Sequence, residues 1–362
     1  MQTKKLLLPV AVATPAALTL AFTLPADSVE FRPSVAGGLT KTFNQTTEMT
    51  IDDMVMVMNG QEMPPEMMPS DLETSTKMTI VVTDSYEGVD EGRPGKVSRT
   101  YDELASTTAF SASMPAPIGE MDEEMDGGSE LEGLTVNFTW DGESEDFIAS
   151  FAEENEDEDE ALLDDLWEDM DLRGLLPSGG VSEGDSWRID LETLPHVLAP
   201  GGNLKILPDE VNDMMGMGPG GDFSNMAGMM GEFEGTATGT YQGARDMDGR
   251  EVGVIALQFA VHSAADITDM LMEAMDSMDV ENLGEMEMDF DSADVEMGFD
   301  GEGELLWDLA GGHFHSIELE LDMEFAMDMV MSMSMMGQDM DMEQSMEMSG
   351  SLILGGSSAR GE

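Results

Sequence analysis

Residues 317–335 read IELELDMEFAMDMVMSMSM, and every odd position of this stretch is apolar. The even positions are acidic or serine, apart from Ala326 and Val330. Successive side chains of a β-strand point to opposite faces, so this period of two predicts a strand with one face on a core and the other in water. The stretch is much longer than the usual strand of about five or six residues, so we expect it to bend.

A second apolar stripe follows the first after a turn signal. Beyond Gly337-Gln338 the apolar residues from Met340 to Leu354 occupy even positions, apart from Ile353. With Gly337-Gln338 as a two-residue turn, the odd-numbered residues of the first strand lie opposite even-numbered residues of the second. The sequence therefore predicts a hairpin with both methionine stripes on one face. The predicted cross-strand pairs are Met333 with Met342 and Met329 with Met346.

The rest of the chain predicts further strands and two helices. Near the N-terminus, Met54, Met56 and Met58 repeat the alternation, and its phase slips at Asp52-Asp53, which indicates a β-bulge in a strand that we pair with the C-terminal hairpin. The stretches 156–172 and 266–283 have apolar residues at helical spacing. We therefore predict a mainly β fold with some α: a strongly curved antiparallel sheet, similar to a half-barrel, covered by one or two amphipathic helices.

The first residues have the layout of an export signal. Lys4-Lys5 precedes the apolar run 6–22, so we predict a signal peptide over 1–26 and one β-rich exported domain over 27–362, periplasmic or secreted. No later stretch is apolar and long enough to predict a transmembrane helix. Segments rich in Gly, Pro and Met near 113–129 and 212–231 are predicted to be flexible.

Charge and composition exclude several functions. The chain has 77 Asp and Glu against 14 Lys and Arg, a formal net charge of −63, which would repel the phosphates of nucleic acid. It has no Cys, which excludes thiolate zinc sites, disulfides and cysteine nucleophiles. An acidic surface nearly free of lysine stays hydrated at high ionic strength, so we predict a halophilic protein.

The methionine stripes give the candidate site. A one-sided apolar strand of this length suggests that the concave face of the curved sheet binds a lipid or an apolar peptide. The predicted ligand-facing residues are Met323, Phe325, Met327, Met329, Met331, Met333, Met342 and Met346.

Metal binding is the alternative function. The chain has 38 Met, and thioether sulfur prefers soft ions such as Cu(I) and Ag(I), so sequestration of these ions is one alternative and a purely structural envelope protein is another. However, the stripe continues into Leu321, Leu319 and Ile317, which cannot bind metal, so a core role for the methionines is favoured over copper binding. His313 and His315 could share a metal ion, although spacing places no third ligand beside them.

No catalytic site can be selected from the sequence. A nucleophile elbow, phosphate loops and dinucleotide-binding glycine patterns are missing, so we expect a non-enzymatic protein without a cofactor.

Three local patterns resemble a family of uncharacterised exported bacterial proteins that carry a domain of unknown function. They are Val181-Ser-Glu-Gly-Asp-Ser-Trp187, Gly239-Thr-Tyr241 with the following 248–255, and Gly301-Glu-Gly-Glu-Leu-Leu-Trp-Asp308. The resemblance implies an exported β-rich protein and supplies no catalytic residue. The predicted architecture is also similar to the half-barrel of periplasmic lipoprotein carriers, an analogy of fold that does not determine function.

Overall fold

The structure is a computed structural model that describes residues 28–33, 37–90, 93–114, 119–208, 232–247, 249–277, 286–335 and 338–360. The predicted signal peptide 1–26 and the predicted flexible segment 212–231 lie outside the described residues.

The described chain is mainly β, as predicted, and its strands form one antiparallel sheet of 13 strands. Helices are short: α1 covers Leu194–Leu198 and α2 covers Thr268–Ser277. The strands are β1 (Gly37–Met58), β2 (Gln61–Glu62), β3 (Ser70–Asp90), β4 (Arg93–Met114), β5 (Gly119–Gly128), β6 (Thr135–Asp141), β7 (Asp146–Phe151), β8 (Ser186–Arg188), β9 (Phe233–Met247), β10 (Arg250–Asp266), β11 (Met286–Asp308), β12 (His313–Met335) and β13 (Gln338–Arg360).

The strand order places the first and the last strand, β1 and β13, side by side in the middle of the sheet. It runs β7-β6-β4-β3-β1-β13-β12-β11-β10-β9-β8, with β2 added to β1 and β5 added to β4. Among the residues that the structure describes, the end strands β7 and β8 do not pair, so the described sheet is not closed. The predicted pairing of the N-terminal strand with the C-terminal hairpin is confirmed, since β1 pairs with β13. The predicted bulge is also confirmed, because the β1–β13 register shifts between Ile51 and Asp53.

The hairpin of β12 and β13 forms, but its register is shifted by two residues from the prediction. Met333 pairs with Met340 and Met329 pairs with Gln344, whereas Met342 and Met346 lie opposite other residues of β12. A shift of two keeps every side chain on its predicted face, because side chains alternate with a period of two. The apolar pattern therefore determined which face each side chain lies on, but not which residues pair across the hairpin. Residues 336 and 337, between the paired Met335 and Gln338, lie outside the described residues.

The prediction of a covering helix over 156–172 is wrong. This stretch has only a single 3₁₀ turn at Glu160–Leu163, and Asp165 and Leu172 have left-handed backbone with φ of 58°. The guanidinium of Arg99 on β4 binds the carbonyl oxygens of Trp167 and Glu168, which a continuous helix would use for its own hydrogen bonds.

Within 266–283 a helix does form, since α2 covers Thr268–Ser277 and contacts β11, while 278–285 lie outside the described residues. No helix of the described chain is long and apolar enough to cross a membrane.

Part of the predicted flexible segment 113–129 is a strand instead. Gly119–Gly128 forms β5 and pairs with β4 over Ala105–Met114. Backbone ladders need no apolar side chains, so an acidic, Gly-rich stretch can extend a sheet edge that its composition does not predict.

The core lies between one face of the sheet and the irregular segment 152–208, which we call the cover. Leu162, Met170, Leu175 and Leu198 of the cover belong to the same buried cluster as Phe43 and many other sheet residues. Mostly loop and single turns, the cover replaces the amphipathic helices that the sequence predicted.

Candidate functional site: an uncovered methionine face

The apolar face shared by β11, β12, β13 and β1 changes in burial along its strands. Near the start of β12, Ile317, Leu319 and Leu321 are at most 3% exposed. From Met323 to Met331 the odd residues of the same strand are only half-buried. One end of this face is therefore closed and the other is open to solvent.

The half-buried part forms four rows across the four strands, and we call these rows together the methionine face. Its β11 members in the first three rows, Met297, Val295 and Ala293, are themselves buried, so the solvent-accessible part lies on β12, β13 and β1. Directly opposed residues of antiparallel strands have their side chains on the same face, so the register defines each row. In the order β11, β12, β13, β1, the first row is Met297, Phe325, Met348, Ile51; the second is Val295, Met327, Met346, Met54; the third is Ala293, Met329, Gln344, Met56; the fourth is Phe290, Met331, Met342, Met58.

The structure gathers the predicted ligand-facing residues onto this one face. Met323 lies at its closed border, beside Phe299 of β11 and Gly350 of β13. Met333 pairs with Met340 beyond the fourth row, and its side chain is outside those described. The others occupy the rows: Phe325, Met327, Met329, Met331, Met342 and Met346.

An open cavity adjoins the methionine face where β1 passes β3, β4 and β5. It has a volume of about 580 Å³ and is lined by Met49, Thr74 and Phe110 together with several acidic residues. The Thr74 hydroxyl oxygen is shielded from solvent and has no hydrogen-bond partner among the described residues. Ligand pockets commonly measure about 300–1,000 Å³, so the cavity is large enough for a small apolar molecule.

The closed end is held by a buried ion cluster between the sheet and the cover. Asp84 of β3 accepts hydrogen bonds from Arg99 at 2.8 and 2.9 Å and from Lys41 at 2.8 Å. Lys41 of β1 also reaches Asp171 of the cover at 2.7 Å, and Tyr86 donates to the same carboxylate. Lys41, Asp84 and Arg99 are fully buried. The cluster therefore anchors the cover over the Lys41 end of the face.

Within this cluster the pKa of Asp84 is lowered and the pKa of Tyr86 is raised. Burial alone would raise the pKa of Asp84, but the positive charges of Arg99 and Lys41 outweigh it and lower this pKa to about 2. Burial raises the pKa of Tyr86 well above its usual value, and the neighbouring Asp171 carboxylate raises it further. Asp84 is thus ionised and Tyr86 neutral at neutral pH, which matches the hydrogen bonds they make.

Glu168 of the cover gives the structure a pH-sensitive position. Burial raises the pKa of Glu168 to about 7, although Arg173 is paired with it. The negative charges of Asp169 and Asp171 also raise this pKa, whereas Arg99 lowers it. One carboxylate oxygen, Oε1, is buried without a hydrogen-bond partner in the described structure. The folded protein therefore holds this proton more tightly than the unfolded chain.

Replacing Glu168 with Gln is expected to weaken the dependence of stability on pH. Because the folded pKa is raised, the stabilising contribution of the protonated form is complete below about pH 4 and is lost as the pH rises through 7. The loss amounts to about 3 kcal/mol. Urea denaturation at pH 4 and pH 8 in molar salt measures it, with the exposed Glu154→Gln as control. Equal pH dependence in wild type and Glu168→Gln would contradict the prediction.

The two histidines that the sequence nominated as metal ligands lie in different surroundings. His313 is fully buried, and its Nδ1 lies 2.7 Å from the carbonyl oxygen of Phe314 and 2.9 Å from the Ser358 hydroxyl. His315 is the extra residue of a bulge, since Leu306 pairs with Ser316 and Trp307 with Phe314. Within the described ranges, no group of three or more His, Asp or Glu side chains is placed to hold a metal ion. The shared metal site stays a prediction.

The ion cluster was missed at the level of sequence, although a signal was present. Leu39, Lys41 and Phe43 alternate on one face of β1, and Lys41 is one of only four lysines beyond the first 26 residues. A scarce lysine at an inward position between two apolar residues indicates a buried partner. Its partners Asp84 and Asp171 are distant in sequence and could not be identified without the fold.

Comparisons with known proteins give no family. No family model matches the chain, and no curated protein matches it. Among solved structures, the outer membrane protein OprG from Pseudomonas aeruginosa aligns with 92% of this chain and 100% of its own, at 7% identity and a TM-score of 0.23. So low a score carries no argument about fold or function.

Proposed function

We propose that this is an exported, highly acidic, non-enzymatic protein that holds a lipid acyl chain or an apolar peptide on the methionine face. The observation that carries the proposal is the change in burial along β12, from 1% exposure at Leu321 to half-burial from Met323 onward. A core strand would continue to be fully buried, whereas the apolar side chains of this one are only partly buried. Large exposed apolar patches on soluble proteins mark sites of interaction.

The residue type on this face supports an adaptable ligand site. Methionine is unbranched and flexible, and it fits apolar partners of varied shape. The opposite face of β12 carries Glu324 and Asp328, both exposed, so only one side of the strand suits an apolar ligand. The net charge of −63 disfavours anionic head groups, which favours neutral or cationic ligands.

Export follows from the predicted signal peptide, and curvature of the long strands would make the methionine face concave. A concave apolar face could enclose an acyl chain as the half-barrel of a lipoprotein carrier does, a comparison of architecture alone.

Replacing Met331 with Asp is expected to weaken apolar ligand binding about tenfold or more, because a carboxylate in the fourth row would lose hydration when the ligand covers it. The probes are an uncharged monoacylglycerol and an uncharged apolar peptide, added separately to delipidated full-length protein in molar salt. Native mass spectrometry detects the complexes, and fluorescence titration measures affinity.

The matched control is Val330→Asp, which introduces the same charge on the opposite face of the same strand. It should bind the probe as the wild type does. Wild-type protein that binds neither acyl nor peptide probe would overturn the proposal and leave the structural envelope role. Equal losses in both variants would also contradict the methionine face as the site.

A further inference from the structure

The second and fourth rows of the methionine face each bring three thioethers side by side from three strands. In the second row Met327, Met346 and Met54 are directly opposed on β12, β13 and β1. In the fourth row the same strands contribute Met331, Met342 and Met58. Side chains in directly opposed positions have Cβ atoms about 4.5–5.5 Å apart, so the outer two methionines of a row flank the central one within reach of their side chains.

We propose that each of these two rows binds one soft monovalent cation, Cu(I) or Ag(I), through its three methionine sulfurs. Thioether sulfur selects such ions over harder cations, which prefer oxygen and nitrogen ligands. The site goes beyond the apolar-ligand function and does not depend on it. It also differs from the Met-x-Met spacing seen along one strand, because its ligands come from three strands.

The side chains of both rows can reorient to bring their sulfurs together. Each methionine has three rotatable bonds, and all six are half-buried rather than locked in the core. Met170 of the cover, by contrast, is fully buried in the core and cannot turn toward an ion without opening that core.

The charge around the rows fits a monovalent ion. Three thioethers are neutral, and the fourth members of the two rows, Val295 and Phe290, are apolar, so the rows offer no charged ligand to a divalent ion. The strongly negative chain nevertheless attracts cations to its surface.

The third row separates the two sites. There Gln344 takes the central position between Met329 and Met56, so the two sulfurs are on strands that do not pair with each other and lack a third between them. Met327 and Met331 are four residues apart on β12, about 13 Å along the strand, which keeps the two ions independent.

Replacing the central methionine of a row tests the proposal. Met346→Leu and Met342→Leu each remove one sulfur but keep the volume and apolar character of the face, a change that protein cores usually tolerate. Ag(I) is the probe, since it needs no reductant, and it is titrated as the nitrate into full-length protein in chloride-free buffer. Native mass spectrometry counts the bound ions, and calorimetry gives their affinities.

The expected result is that each central substitution removes one Ag(I) ion of submicromolar affinity, and that the double variant removes two. Met329→Leu, in the third row, is the matched control and should keep the wild-type number. An unchanged count in Met346→Leu and Met342→Leu, or an equal loss in Met329→Leu, would overturn the proposal. The acyl probe is titrated separately into the wild-type protein without Ag(I), so failure of the metal sites and failure of the apolar-ligand site appear in different measurements and are distinguishable.

Discussion

Replacing Asp84 with Asn is expected to lower the free energy of unfolding by about 3–5 kcal/mol. Asn has nearly the same shape as Asp but no charge, so the fully buried Arg99 would lose its carboxylate partner and the fully buried Lys41 would keep only Asp171. Uncompensated buried charges are among the most destabilising changes in a protein interior. Urea denaturation in molar salt, where surface repulsion is screened, measures the difference.

A surface ion pair provides the matched control. Arg245 of β9 pairs with Glu304 of β11, and their side chains are 44% and 41% exposed. Glu304→Gln makes the same kind of change and should cost at most about 1 kcal/mol, because water screens exposed pairs. If Asp84→Asn cost no more than this control, the ion cluster would not anchor the cover.

Truncating the apolar stripe of β12 is expected to have very different effects at its two ends. Leu321→Ala should cost about 2–5 kcal/mol, because Leu321 is 1% exposed and its loss leaves a cavity beside Leu352. Met331→Ala, on the same face of the same strand, should cost about 1 kcal/mol, because a half-buried side chain has less burial to lose. Urea denaturation of the two variants under the same conditions compares them.

The neighbouring strand repeats the comparison independently. Leu354 of β13 is 1% exposed, whereas Met346 on the same face is half-buried. Leu354→Ala should therefore resemble Leu321→Ala, and Met346→Ala should resemble Met331→Ala. Similar costs at both ends of the stripe would mean that the methionine face is covered, which would remove the surface on which both proposed sites depend.

Some parts of the candidate site could be predicted and others could not. The alternation in β12 predicted which of its residues lie on the methionine face, because it is a local property of consecutive side chains. The three-methionine rows could not be found in this way, since they depend on the exact partner of each residue. Met346 lies opposite Met327 rather than the predicted Met329, and the third sulfur comes from Met54, almost 300 residues earlier in the chain.

By itself the sequence determined the long strands β1, β12 and β13, the bulge at Asp52 and the common face of the methionine stripes, since each follows from the period of a short stretch. Only the tertiary structure decided the register, the irregular cover in place of a helix at 156–172, and the buried cluster of Lys41, Asp84 and Arg99. These features depend on contacts between distant segments. Local periodicity shows that a face is apolar, but what covers that face is decided by where the rest of the chain packs, and here burial falls from Leu321 to the methionines that follow it.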